Sequence, residues 1–198
     1  MITKTIREQI TEQIRDELMD GRFTVGQPLR EADLAKRFGV SRGPIRDAFL
    51  QLSQEGFLAY EANRGVTVQT PPPDENRELI VSLRRQIECF VIVQGWRKLA
   101  GDEFHRIAAA LSELHEACDA GRVAAVARCD IGLHQQILVT YGGASLLPVW
   151  KWLCSQMMLT YTRLDDYADV FEEHVRIVEA IQHGDQARAI EAIEANIK

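Results

Sequence analysis

The 198 residues carry a formal net charge of −6, and 46% of them are hydrophobic. That apolar share suffices for ordinary cores in one or two domains, and no apolar run approaches the roughly 18 residues that a membrane helix needs. Met1–Arg7 holds no apolar signal segment, so a cytoplasmic protein with no membrane partner is expected.

Ile2, Ile6, Ile10, Ile14 and Leu18 recur every four residues and predict an amphipathic first helix ending near Gly21. Glu31–Phe38 reads as a short helix closed by Gly39, and Ile45–Leu52 begins a longer one. Ser41 stands where a cap belongs, and Pro44 suits a first helical turn, where its missing N–H has no partner to lose. Two helices joined by a tight turn describe a helix-turn-helix. Arg42 and Arg46, four apart at the start of the second helix, share a face that can reach phosphates or guanine edges.

Leu58–Glu61 and Val66–Gln69 alternate like two strands, and Ala62-Asn63-Arg64-Gly65 supplies a hairpin turn with Arg64 at its tip. The pattern predicts a winged helix-turn-helix; a plain helical pair with a surface hairpin is the alternative. Charge agrees with the first reading. Residues 1–70 hold ten Lys/Arg and ten Asp/Glu, and residues 71–198 hold thirteen and nineteen. The stretch Lys36–Arg46 has four basic residues and no acid, so positive charge gathers where a recognition helix would present it.

Thr70-Pro71-Pro72-Pro73-Asp74 removes three backbone donors and reads as a stiff linker. It sets a DNA-binding domain at 1–70, a linker at 71–74 and a helical domain at 75–198. Six helical segments follow: Glu75–Ala100, Phe104–Ala120, Arg122–Tyr141, Ser145 to about Leu164, Asp165–His183 and Gln186–Lys198. The fold class is therefore mainly α, a winged helix-turn-helix followed by an antiparallel six-helix bundle. The helix Glu75–Ala100 is apolar on more than one side, through Leu83, Cys89, Phe90 and Val93, so it is expected to face both core and partner in a homodimer. Cys89, Cys118, Cys129 and Cys154 form no C-x-x-C pair and are expected to be reduced core residues.

Several polar residues fall on apolar helix faces. Asp130 and His134 lie four apart with Leu133, Ile137 and Tyr141, His174 lies with Ile177, Val178 and Ile181, Asn196 lies beside Ile193 and Ile197, and Arg84 lies between Ile80 and Ile87. Inward polar groups are costly unless paired. A carboxylate, two imidazoles and an amide can pair among themselves as a hydrogen-bonded core, or around a divalent metal.

Residues Gly26–Val68 resemble the DNA-binding domain of GntR-type bacterial transcription regulators. The likeness is carried by Gly26, Leu29, Glu31, Leu34-Ala35, Gly39-Val40-Ser41-Arg42, Pro44-Ile45-Arg46-Asp47-Ala48-Phe49, Leu52, Gly56 and Arg64-Gly65-Val66. It implies double-stranded DNA as partner, contacted by Ser41, Arg42, Gly43, Arg46, Arg64 and Gly65. Gly43 departs from the pattern, which has Thr or Ser there, so a hydroxyl for phosphate is lost. Residues 74–198 are similar to the all-helical FCD effector domain of the FadR-like branch, in its smaller, VanR-like six-helix form. The matching residues are Arg84 and Glu88, Asp130 and His134, Glu173-His174, Ile177, Ala180-Ile181, Gly184-Asp185 and Ala189.

That second resemblance implies a divalent metal (zinc, nickel or manganese) held by Asp130, His134 and His174, beside a small carboxylate effector that pairs with Arg84. The pattern's last His slot is Asn196, whose amide oxygen is a weak ligand for soft metals but can coordinate a hard ion or bond a metal-bound water. The implied function is an effector-responsive regulator, expected to be a repressor, binding an inverted-repeat operator as a dimer. The alternatives are a metal-dependent enzyme fused to a DNA-binding module and a constitutive DNA-binding protein with a purely dimerising bundle. The bundle has no HExxH, phosphate loop or GxSxG, and Glu173 points about 100° from its neighbour His174 on a helix, which makes it a poor base at the same metal. An enzyme is therefore not expected.

Overall fold

A computed structural model of the chain describes residues 5–61, 65–159 and 167–198. They fall into two compact units, Met1–Pro73 with Ser155–Thr160, and Asp74–Cys154 with Tyr161–Lys198.

In the first unit, α1 (Ile6–Met19) opens with a reciprocal cap. The Thr5 hydroxyl accepts from the Glu8 amide, and the Glu8 carboxylate accepts from the Thr5 amide at 2.7 Å. The predicted apolar stripe turns Ile10 and Ile14 inward, while Ile6 remains exposed. Helix α2 (Glu31–Phe38) ends at Gly39, whose φ of 68° is the left-handed turn that glycine adopts without a Cβ penalty. Helix α3 (Arg42–Gln54) follows at once and buries Ile45, Ala48, Phe49 and Leu52 against α1 and α2.

The wing is a three-stranded antiparallel sheet in the order β1-β3-β2, from β1 (Pro28–Leu29), β2 (Leu58–Glu61) and β3 (Gly65–Val68). Leu58 pairs with Val68 and Tyr60 with Val66, while Leu29 pairs with Val66 across the other edge. The hairpin was legible in the sequence; β1, two residues long, was not. Gly65 carries φ 79° at the start of β3. The tip residue Arg64 lies outside the described residues. Met158 and Leu159 also pack on this unit's core, and the Gln156 amide donates to the Gly56 carbonyl at 3.2 Å. The sequence reading had placed those residues wholly in the bundle.

The second unit is built from α4 (Asp74–Gly95), α5 (Gly101–Asp119), α6 (Val123–Thr140), a short 3-10 turn (Gly143–Leu146), the part of α7 (Leu147–Leu159) up to Cys154, α8 (Tyr167–His183) and α9 (Gln186–Asn196). Among the described residues these are the six helices expected, several with shifted ends; the expected end near Leu164 and start at Asp165 lie outside the described residues. Asp74, expected in the linker, is the first residue of α4. Helix α4 stops at Gly95 rather than Ala100, and the Tyr141 carbonyl fills the space where a Cβ on Gly95 would sit, so only glycine fits there. Gly101 opens α5 instead of breaking the chain, with the Ala100 amide donating to Glu103 at 2.9 Å. Asp185 caps α9 by accepting from the Arg188 amide at 3.1 Å. Trp150, Leu133, Leu138, Ile177 and Ile193 form the centre of the core. All four cysteines are free thiols; Cys118 and Cys154 are buried, but Cys89 and Cys129 are only partly so.

Candidate DNA-reading face and metal centre

Ser41 occupies the N-cap position of α3, but its hydroxyl makes no capping bond. The expected side-chain cap is thus not made, and the exposed hydroxyl stays available to a ligand. Arg42, Gly43 and Arg46 are exposed beside it. The first turn of α3 contains no acid, so its unpaired amides and dipole favour an anion such as phosphate. A Cβ built on Gly43 would meet only the Ser41 hydroxyl oxygen, at 3.9 Å, so the fold does not require glycine there. Arg46 is held by Glu31, through Nε to Oε1 at 3.0 Å and Nη2 to Oε2 at 3.1 Å. This fork raises the Arg46 pKa and lowers that of Glu31.

The second site lies inside the helical unit. Helix α6 carries Asp130 and His134 on one face, and α8 brings His174 opposite them. One donor atom from each lies within 4.8 Å of the others. His134 and His174 face each other with Nε2 atoms 3.2 Å apart, and the Asp130 carboxylate lies 3.6 Å from His174 Nε2 and 3.9 Å from His134 Nε2. Asn196, at the end of α9, sets its Oδ1 3.0 Å from His134 Nε2.

What surrounds the rings fixes their tautomers. His134 Nδ1 lies 2.6 Å from a Glu88 carboxylate oxygen, and His174 Nδ1 lies 2.7 Å from the Val170 carbonyl. Both partners accept only, so both Nδ1 atoms carry the proton and donate. The unprotonated Nε2 atoms then face each other, with the Asp130 carboxylate and the Asn196 Oδ1 beside them. A proton or a cation between them satisfies that arrangement, and the donor set fits a divalent metal.

Glu88, on α4, joins several parts of this centre. It accepts from Arg84 Nε at 2.9 Å, from Trp150 Nε1 at 2.7 Å and from His134. Burial pushes its carboxyl up, but His134 and the Arg84 guanidinium, with these bonds, outweigh it and hold the pKa down at about 2. Burial likewise opposes charge on Asp130, and His174, His134 and Arg84 together bring it well below the usual carboxylate range. Burial disfavours charge on His174, and Asp130 more than offsets this, so its pKa is raised. Arg84 is buried, with Nη2 3.9 Å from Asp130 and its guanidinium 5.8 Å from the centroid of Trp150. Burial pushes the Cys154 thiol up to about 12, so it stays protonated.

The structure thus places Asp130, His134, His174, Asn196 and Arg84 around one centre, and Ser41, Arg42, Gly43 and Arg46 on one exposed face. Sequence reasoning missed two participants. Glu88 was noted only as part of a motif, although an acid four residues from an inward arginine was the available signal. Glu173 was dismissed because it points away from His174, yet it accepts from the Asn196 amide at 3.2 Å.

Residues 6–68 match the family described as bacterial regulatory proteins, gntR family, and residues 79–198 match the FCD domain. The chain is 26% identical over 203 residues to a probable D-xylose utilization operon transcriptional repressor of Paenarthrobacter nicotinovorans, covering 98% of this chain and 86% of the relative. It is 32% identical over 89 residues to the HTH-type transcriptional repressor RspR of Escherichia coli K12, covering 45% of this chain and 39% of that one. Among solved structures, a GntR regulator from Rhodococcus sp. RHA1 superposes with a TM-score of 0.76 at 25% identity, over 96% of this chain and 93% of that one. E. coli McbR/YncC shares the fold with a TM-score of 0.78 at 16% identity, over 98% and 94%. No described helix is long and apolar enough to cross a membrane. The chain belongs to the GntR family of bacterial transcription regulators, in the branch with an FCD domain, and is a DNA-binding regulator rather than an enzyme.

Proposed function

We propose that the protein is a cytoplasmic, metal-loaded repressor that binds an inverted-repeat operator as a homodimer and responds to a small carboxylate metabolite. The observation that carries this reading is the clustering of Asp130, His134 and His174 donor atoms within 4.8 Å of one another, with Asn196 Oδ1 3.0 Å from His134 Nε2. A bound divalent cation supplies positive charge that neutralises an entering carboxylate. Arg84, beside Asp130, adds a planar fork for a carboxylate oxygen. Glu88 and the Val170 carbonyl keep both imidazoles in the tautomer that presents Nε2. Effector binding shifts DNA affinity only as far as it prefers one helical packing over another. Repression is supported by the names of the two relatives described above.

On the DNA side, Arg42 and Arg46 read the major groove, Ser41 and the Gly43 amide take phosphate, and Arg64 with Gly65 reaches the minor groove from the wing. Dimerisation is supported by α4. Leu79, Leu83, Phe90 and Val93 are exposed along it, with Gln86 completing the spacing of four and three residues that a helix–helix seam uses. Full-length protein measured by light scattering is expected to be a dimer, and Phe90→Glu a monomer; a monomeric wild type at tens of micromolar would remove the seam.

The test of the sensing site is a thermal-shift screen of carboxylic metabolites on full-length protein, with and without chelator. A hit should release operator DNA in a gel shift, and should fail on His134→Ala, which still binds operator. Metal-free purified protein that takes up no cation, together with a normal effector response in His134→Ala, would make the cluster a hydrogen-bonded core instead.

A further inference from the structure

We propose that Glu173 makes Asn196 the fourth protein ligand of this centre, and that the resulting set of two imidazole nitrogens and two oxygens shifts its preference toward a hard divalent cation of the manganese(II) type. The inference rests on the reading of Asp130, His134 and His174 as a metal site.

A side-chain amide can present either its oxygen or its nitrogen, and its surroundings decide which. Asn196 Nδ2 lies 3.2 Å from Glu173 Oε2. The other Glu173 oxygen accepts from the Lys198 ammonium. An ionised carboxylate only accepts, so the amide must turn its N–H toward Glu173. Reversal would set Oδ1 against a carboxylate. With Nδ2 committed, Oδ1 faces His134 Nε2 at 3.0 Å, on the side of the ring that meets His174 and Asp130. The backbone supports this placement, because Ile193 and Ile197 on either side of Asn196 are buried.

The adjacency of Glu173 and His174 now has a use. Neighbouring helical residues diverge by about 100°, so α8 sends His174 to the centre and Glu173 to the residue on α9 that completes it. Replacing an imidazole by an amide oxygen weakens the pull on softer metals and costs a hard ion less. Zinc still benefits from its place in the affinity order of divalent metals, so the prediction concerns the ratio of affinities rather than the winner.

Chelator-stripped full-length protein is titrated calorimetrically with MnCl2 and, separately, ZnCl2. Wild type should bind both. Asn196→Ala and Glu173→Ala should each weaken manganese by roughly ten- to a hundredfold. Glu173→Gln keeps an oxygen that can accept from Nδ2 and should stay near wild type, a rescue that a purely structural role does not predict. Asn196→His should raise zinc affinity more than manganese affinity and so shift the ratio toward zinc. Unchanged melting of each variant in chelator controls for folding. If Asn196→Ala and Glu173→Ala hold manganese as wild type does, the amide is not a ligand, while the Asp130–His134–His174 centre stands. An unchanged ratio in Asn196→His overturns the selectivity. Wild type that takes up neither ion overturns this inference and the metal reading together.

Discussion

The two units each contain an Arg–Glu pair of nearly equal length and opposite setting. In the winged unit Arg46 meets Glu31 at 3.0 Å with the arginine side chain 66% exposed, and in the helical unit Arg84 meets Glu88 at 2.9 Å with both side chains under 10% exposed. Distance therefore says little about what each pair does; burial decides. Water screens the first pair and can replace either partner, so Arg46 can exchange its carboxylate for a phosphate or a guanine edge at small cost. The second pair has no such exchange. Its charges are held by each other, by His134 and by Trp150, and removing one strands the rest. On the proposed function, reading DNA would use charge that can change partners, and holding a cation would use charge that cannot.

The largest expected effect is on stability, from the buried pair. Glu88→Ala leaves Arg84 and His134 without their shared carboxylate and should cost about 3–5 kcal/mol in urea unfolding followed by circular dichroism. A loss as small as that of a surface pair would break the contrast. Next comes the cation. With free metal at about a hundred times its dissociation constant, binding adds about 2.7 kcal/mol of stability that chelator should remove. His134→Ala should be insensitive to both metal and chelator in the same melting assay.

These expectations draw on features that were unequally legible in the sequence. The helix-turn-helix could be read because Gly39, Ser41 and Pro44 each have a local backbone reason to stand where they do. Asp130 and His134 could be paired because a helix repeats that spacing on one face. Strand β1 could not be read, since two residues beginning with Pro28 carry no alternation and pair only once β3 exists. The inward turn of Glu88 was half visible, as an acid four residues from Arg84, but its bond to His134 joins residues 46 positions apart. Glu173 reaches the centre through Asn196 on another helix, and the periodicity of one helix holds no information about that. The restart of the chain at α7 after a 3-10 turn was hidden by the apolar residues Leu146 and Leu147 continuing the pattern across it.

On the exposed side, Arg46→Ala should lower operator affinity roughly ten- to a hundredfold, the worth of a bidentate guanine contact. Its melting midpoint should match wild type, because the side chain stands in water. Arg42→Ala should behave alike. Gel-shift titration beside a melting curve separates the two quantities, and unchanged operator binding by both variants would move the reading face elsewhere.

The smallest effect, and the sharpest test of the contrast, is expected for Glu31→Ala. The carboxylate now neutralises Arg46 at the surface that meets phosphate. Without it, Arg46 presents its full charge and one anion fewer repels the duplex. Binding to arbitrary DNA should tighten modestly, and the plot of log affinity against log salt should steepen by roughly one phosphate contact. Melting should not change resolvably, as for other exposed pairs. If operator affinity instead falls as far as in Arg46→Ala, Glu31 is orienting the guanidinium for base reading. The exposed pair would then be a fixed part of the site like its buried counterpart, and exchange of partners in water would no longer explain why the two differ.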